Sequence, residues 1–103
     1  MVFIPGKAEI LEAARRIQGR VLRTPLVYSD ALSGQLGFPV YLKLESLQVG
    51  GSFKFRGATN AVHSLTEEEK RQGVVAASSG NYGTALALAA SRSRIHAVIV
   101  LPE

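Results

Sequence analysis

The sequence predicts an α/β fold built on a parallel sheet, and three observations carry that expectation. The last third reads strand, small-residue loop, helix, strand over residues 74–101, a β-α-β unit near minimum length whose strands must run parallel. The preceding segments recur at helical spacing. The composition, 47% hydrophobic and 19% charged over 103 residues, suits a chain that buries a core rather than a disordered one. Parallel strands need helices on both faces. The elements in this chain are too few to finish such a sheet, so the fold is expected to be incomplete.

Ile10, Leu11, Ala14, Ile17 and Val21 recur at three- and four-residue spacing, which predicts an amphipathic helix over 7–19 with Gly19 as its stop. Thr24-Pro25-Leu26 turns the chain into an extended piece. Residues 30–36 form a short helix ended by Gly37 and Pro39, and 40–44 a short strand. Residues 45–51 are a loop ending in two glycines, after which Ser52 is the expected N-cap of a helix with Phe55, Ala58, Val62 and Leu65 on one face. Thr66-Glu-Glu-Glu69 fits a capping box, and Gly73 ends that helix. Residues 74–77 are a buried-strand candidate, 78–83 a loop, 84–91 an Ala- and Leu-rich helix and 97–101 a second all-apolar strand.

Composition excludes several functions. There is no cysteine, hence no disulfide framework or thiolate metal site. His63 and His96 lie far apart in sequence, so no zinc site is expected, and neither histidine is given a catalytic role. The longest apolar runs are about six residues, against the roughly 20 of a membrane span, and no signal peptide is visible at the start. The expectation is a soluble cytoplasmic protein. The net charge of +4 lies wholly in residues 1–60. Its charges are dispersed and not interleaved with aromatics, which argues against nucleic acid and for a small anionic ligand.

Two loops carry the chemistry. In Gly50-Gly51-Ser52-Phe53-Lys54-Phe55-Arg56-Gly57 the glycines permit close backbone approach. Lys54 falls in a first helical turn, whose positive end disfavours an ammonium; burial would disfavour it further. A neutral amine is what a Schiff-base nucleophile requires. The P-loop pattern is absent. Read locally, Lys54 is either such a nucleophile or a solvated lysine after two glycines. Ser78-Ser79-Gly80-Asn81-Tyr82-Gly83 lies between a strand and a helix, the usual anion site of α/β proteins, or is an ordinary turn with a serine cap. It is not a dinucleotide fingerprint.

Read jointly, Arg23-Thr-Pro-Leu26, Val40-Tyr-Leu-Lys-Leu-Glu45, Leu47-Gln48, Gly51-Ser-Phe-Lys-Phe-Arg-Gly-Ala58 and Ser78-Ser-Gly-Asn-Tyr-Gly83 resemble the fold-type II pyridoxal-phosphate enzymes of the threonine/serine dehydratase group, serine racemase included. The likeness runs from about residue 7 to 102. It implies a three-layer parallel-sheet fold of which this chain holds the first third, with residues 1–65 opening the large cofactor domain and 66–103 the small domain. It implies pyridoxal 5'-phosphate as cofactor, held covalently by Lys54, with Asn81 on its phenolic oxygen and Phe53 against its ring. Ser78, Ser79, Gly80, Asn81 and Tyr82 match the loop that grips the substrate carboxylate. The implied reaction takes a hydroxy amino acid of the L-threonine or L-serine type to a 2-oxo acid and ammonia, in a protein often homo-oligomeric, with no membrane or nucleic-acid partner.

Ser79 matches the serine of the racemase that works on the face opposite the lysine, where dehydratases usually carry alanine. Racemisation is therefore the alternative activity, and a non-catalytic remnant or interaction module the alternative class. Gly50 stands where the family usually has threonine, and Tyr82 where histidine is commonest. The glycine-rich loop for the cofactor phosphate has no counterpart in these residues. The chain is accordingly expected to be a fragment, inactive and poorly soluble alone, without stable cofactor binding.

Overall fold

A computed structural model describes residues 2–103. Helix α1 spans Lys7–Ile17, closed by Gly19 at φ +74°. Strand β1 (Leu26–Tyr28) and strand β2 (Tyr41–Lys43) flank helix α2 (Asp30–Leu36). Ser29 caps α2 by accepting from the Leu32 N–H, and Gly37 ends it in the left-handed region. Two 3₁₀ turns, Glu45–Leu47 and Val49–Gly51, lead into α3 (Lys54–Ser64). Helix α4 (Glu67–Gln72) has the expected capping box between Thr66 and Glu69. Then come β3 (Val74–Ala77), α5 (Asn81–Arg92) and β4 (Ala97–Val100).

The β-α-β unit is present as expected: β3 and β4 pair in parallel, Val74 opposite Ala97 through Ala77 opposite Val100. The extended piece after Pro25 does more than expected. It pairs antiparallel with β2, Leu26 opposite Lys43, and Tyr28 and Tyr41 meet edge to face at 5.4 Å between centroids.

The core joins α3 to α5. Phe55, Ala58 and Val62 of the expected α3 face are buried against Ala85, Leu86, Ala89 and Ala90 of α5, with Ile95 beyond. Three expectations need correction. Helix α3 begins at Lys54 with Phe53 in the cap position; Ser52 acts one step away, its Oγ accepting from the Lys54 N–H at 3.4 Å. Helix α5 begins at Asn81 rather than Thr84, capped by the backbone of Gly80 rather than by a serine. The Ser78 hydroxyl explains the early start: it accepts from the Gly83 N–H at 3.1 Å and the Gly80 N–H at 3.4 Å, fixing the first turn. The strands are not fully buried. Each alternates half-buried and exposed, Val75 reaching 72% exposure, because α5 covers one face of the sheet and no helix among the described residues covers the other.

Candidate functional site

The segment before Lys54 is held by a network that crosses the chain. Glu45 Oε1 accepts from Arg56 Nη2 at 2.6 Å and Nε at 2.9 Å, and from the Thr24 hydroxyl at 2.8 Å. Arg56 also donates to the Leu22 carbonyl at 3.1 Å. Gln48, 3% exposed, clasps the same residue: its Nε2 donates to the Leu22 carbonyl at 2.8 Å and its Oε1 accepts from the Leu22 N–H at 2.9 Å. The Arg56 hydrogen bonds, helped by Thr24 and Gln48 and opposed by burial, pull the Glu45 carboxyl down to about 2. Gly50 and Gly51 take φ +76° and +75°, the left-handed region open to glycine. Gly50 also sits so close to α5 that a Cβ would stand 3.0 Å from Leu88 Cδ1. Glycine is thus the residue type that this turn accepts most readily at position 50.

Out of this clamp projects Lys54, the first residue of α3. Its Nζ lies 5.0 Å from the centroid of the Phe53 ring, and the ring is 61% exposed. Lys54 is exposed rather than buried. Among the described residues its ammonium has no ion pair or hydrogen bond.

The second loop lies at the other helix start. Ser78 is committed to the structure by the two N–H groups it accepts. Ser79, Asn81 and Tyr82 are exposed, and Asn81 and Tyr82 belong to the first turn of α5 rather than to the loop. Within the described residues no acceptor meets the N–H groups of Asn81 and Tyr82, so this helix end offers free donors to an anion. Ser78 and Ser79 line an open hollow of about 410 Å³ with Ala77, Val100 and Leu101. Gly50 sits against Thr84 and Leu88, which sets the lysine-bearing segment beside α5, the helix that the second loop enters. His63 lies on α3 and His96 precedes β4, apart from both loops. The sequence assigns no role to Glu45, Gln48 and Arg56; their place inside the resembling motifs is the one signal that marks them.

This geometry is that of a known fold. The chain belongs to the pyridoxal-phosphate dependent enzyme family, whose model matches residues 17–103. It is 51% identical over 95 residues to the L-threonine ammonia-lyase of Thermotoga maritima, covering 92% of this chain and 24% of that protein. Against the L-threo-3-hydroxyaspartate ammonia-lyase of Saccharomyces cerevisiae it is 43% identical over 102 residues, 99% of this chain and 31% of that one. It superposes on maize serine racemase with a TM-score of 0.91 at 40% identity, covering 97% of this chain and 31% of the racemase. The fold is the mixed α/β, parallel-sheet fold of the fold-type II enzymes, and the chain spans a third or less of the length of these relatives.

The residues present suit part of the cofactor. An open primary amine matches an aldehyde, an exposed apolar ring matches a ring face, and an exposed carboxamide matches a phenolic oxygen.

Proposed function

We propose that the protein is a pyridoxal-phosphate dependent ammonia-lyase acting on small hydroxy amino acids of the L-threonine or L-serine type. The observation that carries this reading is Lys54, an unpaired amine at a helix start, in a chain whose curated relatives are named ammonia-lyases. When bound, the cofactor supplies an electron sink for negative charge at the substrate α-carbon. Lys54 Nζ would hold the cofactor through its aldehyde carbon and, as a free amine, would accept the substrate α-proton. Asn81 Nδ2 would donate to the phenolic oxygen, and Phe53 would pack on the ring. The N–H groups of Asn81 and Tyr82, with Ser78, Ser79 and Gly80, hold the substrate carboxylate. The β-hydroxyl would leave as water with the proton that Lys54 has taken up, and addition of one water to the dehydrated product would release ammonia and the 2-oxo acid. On this reading residues 1–65 open the large domain and 66–103 the small one, in a cytoplasmic homo-oligomer.

A chimera tests it: this chain replaces the matching segment of the Thermotoga enzyme, and 2-oxo acid release from L-threonine is followed. Activity is expected, and Lys54→Ala should lower it by at least the roughly 10²–10⁴-fold associated with one acid–base group. Undiminished activity in Lys54→Ala would refute the assignment. In the 103-residue chain alone, borohydride reduction with pyridoxal phosphate should label Lys54 ahead of Lys7, Lys43 and Lys70; even labelling of all four counts against it.

A second reading, racemisation, is favoured by the difference between the two serines. The Ser78 hydroxyl already accepts from two N–H groups of the loop, whereas the Ser79 hydroxyl has no partner among the described residues. Ser79→Ala in the chimera should abolish action on D-serine and spare L-threonine; equal loss of both would sink that reading.

A further inference from the structure

A cavity of about 260 Å³ lies between the end of α1, the inner face of α3 and the last turn of α5; Lys54 and residues 78–83 do not line it. Arg20, Thr59, His63, Arg92 and Ser93 line it over the buried ring of Phe55. Its titratable lining residues are all basic, and no carboxylate borders it. Each arginine is directed there by a separate contact. The Arg92 guanidinium lies 5.3 Å from the Phe55 ring centroid. Arg20 donates through Nε to the Arg16 carbonyl at 3.2 Å, and among the described residues its terminal nitrogens have no partner. Ser93 Oγ and His63 Nε2 are 3.3 Å apart. In the wall, Thr59 is 3% exposed and its hydroxyl has no partner. His63 is held below its ordinary value by burial, then by the charges of Arg20 and of Lys70 on α4; Arg92 faces the cavity from α5.

We propose that this cavity binds a phosphate group, with the Arg20 and Arg92 guanidinium groups on its oxygens and Ser93 and His63 as further donors. One guanidinium satisfies a carboxylate. Two, with an imidazole and a hydroxyl arriving from three elements, match the charge and the oxygens of a phosphate. The volume is below that of drug-sized sites and leaves room for free phosphate or a short phosphomonoester. Bound phosphate reverses the field at His63 and favours its protonated form.

The test is proton NMR of the full 103-residue chain, titrated with inorganic phosphate at an ionic strength matched with sodium chloride. His96, outside the cavity, is the internal reference. The His63 pKa should rise saturably, by about half a unit or more relative to His96. The rise should vanish in Arg20→Gln and in Arg92→Gln. Because Arg92→Gln also uncovers Phe55, the exposed Arg20 supplies the variant that leaves the core untouched. Glycerol 3-phosphate binding more tightly than phosphate supports an ester as the ligand, and equal binding supports free phosphate. Equal shifts at both histidines, a response without saturation, the same shift with acetate, or a rise that persists in Arg20→Gln overturns the proposal.

Discussion

Replacing Glu45 by glutamine removes a charge while keeping shape and one acceptor, so it isolates what the carboxylate contributes to the segment that presents Lys54. The Glu45 carboxyl falls from its ordinary 4.5 to about 2. At about 1.4 kcal/mol per pH unit that is worth about 3 kcal/mol. The Arg56 side chain is 30% exposed and that of Glu45 17%, so water screens the pair and we expect about 2 kcal/mol. A depressed carboxyl stabilises the folded chain fully above its unfolded value and loses that contribution as pH falls toward the folded one. Urea unfolding should therefore show Glu45→Gln less stable by about 2 kcal/mol at pH 7 and at pH 5.5. The gap should narrow between about pH 4.5 and 2 and close below that. For a chain of this size 2 kcal/mol corresponds to about 8–16 °C in Tm. A gap of constant size from pH 7 to pH 2, or none at pH 7, would refute the assignment of the shift to the Arg56 pair.

Gln48→Ala removes both hydrogen bonds to Leu22 and leaves a buried void. We expect a loss of about 2–4 kcal/mol and, in hydrogen exchange, faster exchange of the Leu22 amide than of amides in α5; uniform acceleration would speak against a local clasp. Gly83→Ala places a Cβ 2.7 Å from the Ser78 carbonyl oxygen and 3.0 Å from Ile99 Cγ2. It should cost about 1–3 kcal/mol in thermal unfolding, and an unchanged Tm would show that the start of α5 yields easily. Gly50→Thr forces a β-branched side chain to φ +76° against Leu88 and should destabilise by at least about 1 kcal/mol; a stabilised variant would mean that the turn takes another conformation.

The parts legible in the sequence are those whose signal is local. The α4 capping box needs only Thr66 and Glu69, α2 needs Ser29 and Gly37, and the β-α-β unit announces itself through two apolar runs and the helix between them. The antiparallel pairing of β1 with β2 was not legible: both strands are three residues long and exposed throughout, so no alternation marks an inner face. The start of α5 is not legible because Gly80, Asn81 and Gly83 read as loop residues, whereas the Ser78 hydroxyl that accepts from the Gly83 N–H lies outside the helix. The stripe on α1 is amphipathic in sequence, yet Ile10 and Leu11 are exposed, since periodicity marks an apolar face without supplying what covers it. The motif placed Lys54 and Asn81. It could not reveal that Glu45, Gln48, Arg56 and Thr24 form one network, because contacts spanning 3 to 34 residues leave no period in the sequence.

The two loops are fed by different sheets, β1–β2 before the first and β3–β4 around the second, and no strand among the described residues joins these sheets. What fixes Lys54 relative to Asn81 is therefore the packing of the helices they begin. Alanines dominate that contact: Ala58 on α3, and Ala85, Ala89 and Ala90 on α5, each at most 3% exposed. Small side chains let helix backbones approach closely, and interiors at native density do not absorb added volume without moving the elements themselves. A larger residue at Ala58, one turn beyond Lys54, would push α3 away from α5 and carry the amine with it. The small residues of this core consequently act on the site as well as on stability. Their effect enters through the separation of two helix starts, whereas the Glu45–Arg56 clamp governs only how the first of them is entered.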